Sequence, residues 1–360
     1  MTVYFVTLFL VVILANLAQK TDFTKSRLDK KGRFIHSKST RVCFTIAAAV
    51  LIFVAGFRFQ IGSDFGAYYY KYDLFAKQLP DKIKSLDEPG FSFICWTVVK
   101  LGGEGAAVIF SSAALTIFLF LRTIYKNTNQ LLLTLALFIF LGIWHGCFNG
   151  VRQYLAAAIV FSGIRYIKER RFWKYAFVVF LAFLFHASAI LMIFCYFIAG
   201  TRVSVKNYFL LAVCSVAVLF SFDKIMSLSA FILNEEYSPT DTYLTAQVNV
   251  FRIIVAVIPV VAFAILKWGN INNRDDCTNM NFLMLNAVVF LATSNSTYLA
   301  RMGIYTAPFV ALAIPKLLAT LSDYNQKVLR VIIPSAYFLF WWYEISNSRA
   351  LIPFRFLWQA

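Results

Sequence analysis

Three consecutive stretches at the amino terminus decide the fold: MTVYFVTLFLVVILANLA (Met1–Ala18), QKTDFTKSRLDKKGRFIHSKSTR (Gln19–Arg41) and VCFTIAAAVLIFVAGF (Val42–Phe57). Two apolar runs approach the roughly 20 residues that cross a bilayer. Between them lies a loop with Lys20, Lys25, Arg27, Lys30, Lys31, Arg33, Lys38 and Arg41. Lys and Arg in short loops keep those loops on the cytoplasmic side. The loop is therefore expected inside, and the chain is expected to enter from outside. No basic residue precedes the first apolar run, so Met1–Ala18 reads as a retained span and not as a signal peptide.

The same alternation continues through all 360 residues, of which 60% are hydrophobic and only 14% charged. A soluble domain carries about 25% charged residues. The expected fold class is all-α: a polytopic integral membrane bundle of about 11 or 12 transmembrane helices. It reads as a single transmembrane domain, residues 1–360, without repeat or soluble module. About two thirds of the 34 Lys and Arg fall in alternate loops, the inside ones. Positive-inside bias thus accounts for much of the net charge of +17. That charge is dispersed among short loops, which argues against nucleic acid and for anionic membrane lipid as its partner. The six cysteines (Cys43, Cys95, Cys147, Cys195, Cys214, Cys277) form no C-x-x-C pair and read as small buried hydrophobes.

After the second span an external loop, Arg58–Pro89, is long enough for short helices. Gly90–Leu101 is too short to cross and should dip into the surface. Spans follow near Gly105–Leu121, Gln130–Phe148 and Gly150–Tyr166. Tyr175–Ala199 has two readings. One helix would cross once and leave Arg202 and Lys206 outside. Two short helices meeting near His186 would keep them inside, in register with the other basic loops. Helices that stop within the bilayer are tolerated where they line a wet space. A span near Tyr208–Phe222 leads to an external segment, residues 223–249, whose Glu235, Glu236 and Asp241 suit a wet loop. Spans near Phe251–Leu266, Asn279–Ala292, Ile304–Leu321 and Val328–Tyr343 precede an external tail.

On this plan Arg58, Asp64, Arg152, His186 and Arg301 all fall on the external side. Taken singly, an Arg at a span end is a snorkelling anchor and a His in a helix is a packing residue. His145, beside Trp144, reads as interfacial, and His36, in the basic loop, as solvated. Convergence on one face is what suggests a site, because ionisable groups beside spans are costly to keep. Guanidinium forks at Arg58, Arg152 and Arg301 suit a diphosphate. His186 is the preferred proton acceptor, with Asp64 as its orienter or substitute. No G-x-x-x-x-G-K-[ST], H-E-x-x-H or D-x-D stretch occurs, so neither a P-loop, a zincin site nor a metal–nucleotide-sugar signature is expected. No cofactor and no metal is expected.

These residues also carry a resemblance. Arg58, Gly62, Asp64 and Tyr68 resemble the R-x-x-x-G-x-D-x-x-x-Y opening of the EpsG-type polysaccharide polymerases. Glu88-Pro89-Gly90-Phe91 is similar to the family's E-P-G-F element, and Arg152-Gln153-Tyr154-Leu155-Ala156 to its R-Q-x-L-A helix start. Ala182–Ala189 resembles A-x-x-F-H-x-S-A. Pro353-Phe354-Arg355-Phe356 is similar to a P-Y-x-F tail, with Phe354 where the family often has Tyr. The resemblance implies a Wzy-like polymerase of O-antigen, capsule or exopolysaccharide repeat units in a bacterial cytoplasmic (inner) membrane, with its active site facing the periplasm or exterior. It implies polyprenyl-diphosphate-linked oligosaccharides as donor and acceptor, and a possible chain-length regulator as partner. The rival reading is a transporter or flippase of the same lipid-linked oligosaccharides, which usually shows internal repeats. A membrane O-acyltransferase is a third, and would call for a cytoplasmic His, a place that only His36 fills.

Overall fold

The computed structural model describes residues 1–22, 28–29, 32–204, 206, 208–211, 213, 220, 246–267 and 274–359. The described residues are helical, with no strand among them beyond the isolated bridges Leu28–Phe34 and Arg58–Phe356. They form two compact units, Met1–Ile193 with Tyr324–Ala360, and Phe194–Asp323.

In the first unit α1 (Thr2–Lys20) and α2 (Lys38–Gly56) pack side by side, and α2 packs on α7 (Gly105–Asn127). The α1–α2 junction is stitched by polar side chains. Ser37 caps α2 by accepting from Thr40 N–H at 3.1 Å, and its own hydroxyl donates to Thr21 O at 2.8 Å. Thr40 in turn donates to Ala18 O at 2.9 Å. Such bonds satisfy backbone groups that helix ends leave open.

The basic loop then folds back on the far end of α7, where Phe34 N–H donates to Lys126 O. His36 is consequently buried, not solvated as its basic loop suggested. Its Nδ1 lies 2.7 Å from Asp22 Oδ2 and its Nε2 2.8 Å from Tyr125 O, with the ring centroid 4.3 Å from that of Tyr125.

Between α2 and α7 lie three short helices, α3 (Phe65–Tyr70), α4 (Tyr72–Lys77) and α5 (Leu79–Ser85), and then α6 (Pro89–Lys100). Phe91, on α6, anchors them: its ring meets Tyr68 at 4.8 Å and Phe75 at 5.4 Å. The stretch Gln130–Phe148 is not one helix. It divides into α8 (Leu131–Phe140) and α9 (Ile143–Gly146) around Gly142, whose φ is +77. Next come α10 (Val151–Ser162), α11 (Ile164–Lys168) and α12 (Phe172–Phe183). The chain breaks at His186, with φ −159 and ψ 123, and continues as a 3-10 turn, Ala187–Met192. Of the two readings of Tyr175–Ala199, the broken one is the one the backbone adopts.

α13 (Ile193–Ala199) leads into the second unit. There α15 (Arg274–Ala292) packs against both α14 (Val250–Lys267) and α17 (Gly303–Leu318), with Phe282 stacked on Phe309 at 4.3 Å. The short α16 (Thr297–Ala300) precedes α17. Most of the 223–249 segment and most of the Tyr208–Phe222 span lie outside the described residues. Back in the first unit, α18 (Asp323–Ser346) sets Phe338 and Trp341 against Phe5 and Phe140.

Among the described residues four helices, α1, α2, α7 and α18, are long and apolar enough to cross a membrane. Several others are apolar but shorter. The 12 residues of α10 or of α12 reach about 18 Å, well under the roughly 30 Å hydrocarbon core.

Contacts at the helix ends give the first unit two distinct ends. One gathers the carboxy ends of α1 and α7, the amino end of α2 and the basic loop; the amide of Leu132, at the start of α8, joins it by donating to Gln19 Oε1. The other gathers the carboxy end of α2, the amino end of α7, the turn before α10 and the carboxy-terminal tail. There Gly56 faces Phe110, Gly105 faces Tyr69 O, Phe59 N–H donates to Arg355 O, and Leu357 N–H to Phe57 O.

Candidate active site

At this second end, the segment 58–68 grips the segment 148–152 rung by rung. Arg58 is 1% exposed, and its guanidinium donates to Ile61 O at 3.3 Å, to Ala55 O and to Phe148 O at 3.4 Å, lying over the Phe148 ring at 5.1 Å. A buried cation is stable only when its donors are filled, and those of Arg58 are filled by backbone carbonyls. The structure thus gives Arg58 a bracing place among these carbonyls.

Gly62, at φ +100, passes so close to Phe148 O that a Cβ there would collide with the carbonyl. Ser63 N–H donates to Asn149 Oδ1 at 2.6 Å. Asp64 Oδ2 accepts from Gly150 N–H at 2.9 Å, and its Oδ1 accepts from Ser63 Oγ at 2.9 Å. Finally Tyr68 Oη accepts from Arg152 Nε at 3.4 Å. The motif residues Arg58, Gly62, Asp64 and Tyr68 therefore act together to set the turn that opens α10 and to aim Arg152.

Arg152 meets Glu88, the first residue of the E-P-G-F element, to which the sequence had given no role. Its Nη1 lies 2.5 Å from Glu88 Oε2. The other oxygen, Glu88 Oε1, lies 2.6 Å from His186 Nδ1 and accepts from Ala187 N–H at 2.8 Å. Hence the carboxylate beside His186 is Glu88, and Asp64 is engaged elsewhere.

Two local features bring Glu88 there. Its backbone is left-handed, with φ 49 and ψ 51, a conformation a non-glycine residue holds only where its surroundings over-determine it. The next helix also docks on the break, for Gly90 N–H donates to Leu184 O at 2.7 Å. A Cβ at Gly90 would lie 2.9 Å from that oxygen, so only glycine allows the approach. Burial works against the charged form of Glu88. The bonds from His186 and Ala187 and the Arg152 charge outweigh it, and the carboxyl is held below its ordinary value.

The side chains of Arg152 and His186 stay 32% and 28% exposed, against 10% for Glu88. Both side chains therefore reach solvent, while the carboxylate between them is nearly sealed. Arg301 belongs to the second unit, in the turn between α16 and α17, where its N–H donates to Tyr298 O. His145 is buried beside Trp144, whose indole N–H donates to Leu51 O.

The tail closes over the gripping segment. Gly62 N–H donates to Ala350 O, and Tyr4 Oη donates to Leu351 O at 2.9 Å. Phe354 sets its ring edge-on to Tyr4 at 5.5 Å and Phe148 at 6.4 Å. A phenylalanine serves that aromatic seat without needing a hydroxyl partner.

Fold and site together define a polytopic helical membrane protein with an Arg152–Glu88–His186 cluster at the end of its larger unit away from the basic loop. The sequence model of the EpsG family matches residues 41–356. The chain belongs to the EpsG family, a family of Wzy-like polymerases, and its function is of the polysaccharide-polymerase or glycosyltransferase kind. Neither the curated proteins nor the solved structures contain a match to it.

Proposed function

We propose that the protein polymerises polyprenyl-diphosphate-linked oligosaccharide repeat units into a surface polysaccharide on the outer face of a bacterial cytoplasmic membrane. The observation that carries the reading is the Arg152–Glu88–His186 cluster, placed at the end of its unit opposite the basic loop. In the transfer, an acceptor hydroxyl oxygen bonds to the anomeric carbon of the donor. The anomeric C–O bond to phosphate breaks, and its electron pair leaves with the polyprenyl diphosphate. The hydroxyl proton passes to His186 Nε2. Arg152 answers the charge of the leaving group with the donors it does not spend on Glu88 and Tyr68. Asp64 acts indirectly by holding the Gly150 amide.

The test is incubation of the purified protein with lipid-linked repeat units, with products resolved by size. A ladder of lengths is expected from wild type, and none from His186→Ala, which should still bind the lipid-linked substrate. Transfer of intact units across vesicles without elongation would favour the flippase reading instead.

A further inference from the structure

Glu88 touches three donors with two oxygens: His186 Nδ1, Ala187 N–H and Arg152 Nη1. An ionised carboxylate only accepts, so the nitrogen facing it must carry a hydrogen. In neutral His186 that leaves the lone pair on Nε2, the nitrogen with no other partner among the described residues and on a partly exposed side chain. Arg152 and the Ala187 amide fix the carboxylate from two further directions, so it cannot turn away from the ring. The left-handed backbone at Glu88 and the close seat of Gly90 on Leu184 serve the same geometry.

We infer that Glu88 is a positioning residue for glycosyl transfer: it locks His186 as the Nδ1–H tautomer, making Nε2 the proton acceptor, and it steadies the imidazolium formed when the proton arrives. The inference rests on the polymerase reading for its chemistry but not for its first test. Histidine in water favours the opposite, Nε2–H, tautomer, so the lock must be visible without any turnover. The group also ties the base to the phosphate-binding arginine through one carboxylate. Base and leaving-group contact are therefore set together.

The experiment is 15N NMR of the full-length protein labelled at histidine, in micelles at alkaline pH. The His186 signal is identified by its loss in His186→Gln. Wild type should show His186 as Nδ1–H, and Glu88→Ala should move it toward Nε2–H. In the polymer assay Glu88→Ala should lose roughly 10²-fold or more in turnover with KM little changed, and Glu88→Asp should recover part of the loss. An Nε2–H signal in wild type overturns the inference, as does wild-type turnover in Glu88→Ala. If Glu88→Ala fails to fold, the wild-type tautomer decides alone. Absence of a ladder from wild type would reject the polymerase reading while leaving the tautomer result standing.

Discussion

Arg152 is held by two unlike partners, a carboxylate at 2.5 Å and a phenol at 3.4 Å, and the proposed function asks its remaining N–H groups to meet phosphate. A lysine brings the same charge as a point on a flexible stem and cannot bond Glu88, Tyr68 and a phosphate in one plane. Arg152→Ala should abolish polymer, and Arg152→Lys should restore little of it, in cells where membrane levels of the protein match wild type. Polymer of wild-type length from Arg152→Ala would end its role. Arg152 and His186 were legible in the sequence because ionisable groups among apolar residues stand out. The role of Glu88 was not: the E-P-G-F element marks the residue, but after Asp87 in a polar stretch it looks like any wetted carboxylate. His36 misled for a related reason, and the burial of Arg58 was hidden for the same one. Sequence registers that a charge lies beside a span, but not whether the chain folds back to fill its hydrogen bonds, as carbonyls do around Arg58 and as Asp22 and Tyr125 do around His36.

Among the elements, the contact between 58–68 and 148–152 is the one on which the site depends. Its rungs differ in what they tolerate. Gly62 combines positive φ with contact against Phe148 O, so Gly62→Ala must push the turn outward and misplace Arg152. Asp64 needs only an acceptor for Gly150 N–H, a role that an amide oxygen can fill. Gly62→Ala should therefore lose most activity, a shift of about 1 Å being enough to cost roughly 10²-fold. Asp64→Asn should keep measurable turnover, and Asp64→Ala should fall well below it. Initial rates of chain extension on detergent-solubilised protein would rank the three. Equal rates for Asp64→Asn and Asp64→Ala would show that the Gly150 bond does not matter. Element type followed from hydropathy and Gly positions, and the break at His186 followed from the charge of the loops on either side of it. The split of Gln130–Phe148 at Gly142 did not, since an apolar run hides a left-handed glycine until its neighbours are placed.

At the scale of the whole molecule, charge sets the orientation and the helix ends set where chemistry can occur. The basic loop Gln19–Arg41 adjoins the carboxy end of α7 through Phe34 and His36, whereas the Arg152–Glu88–His186 cluster lies at the opposite end of the same unit. Lys and Arg in short loops resist export, so the orientation of one end fixes that of the other. The expected arrangement has the amino terminus and the 58–89 segment outside, and residues 19–41 inside. Impermeant thiol labelling of single cysteines on a cysteine-free background checks it. Ser39→Cys, beside the Ser37 cap of α2, should label only after the membrane is opened. Ser63→Cys, in the gripping segment at the other end, should label in intact spheroplasts. Both sites belong to one compact unit, so the two results must be opposite for any orientation of it. External labelling of Ser39→Cys together with protection of Ser63→Cys would turn the unit over. The glycan would then have to be built on the cytoplasmic side, where the same cluster would face a different pool of lipid-linked donors.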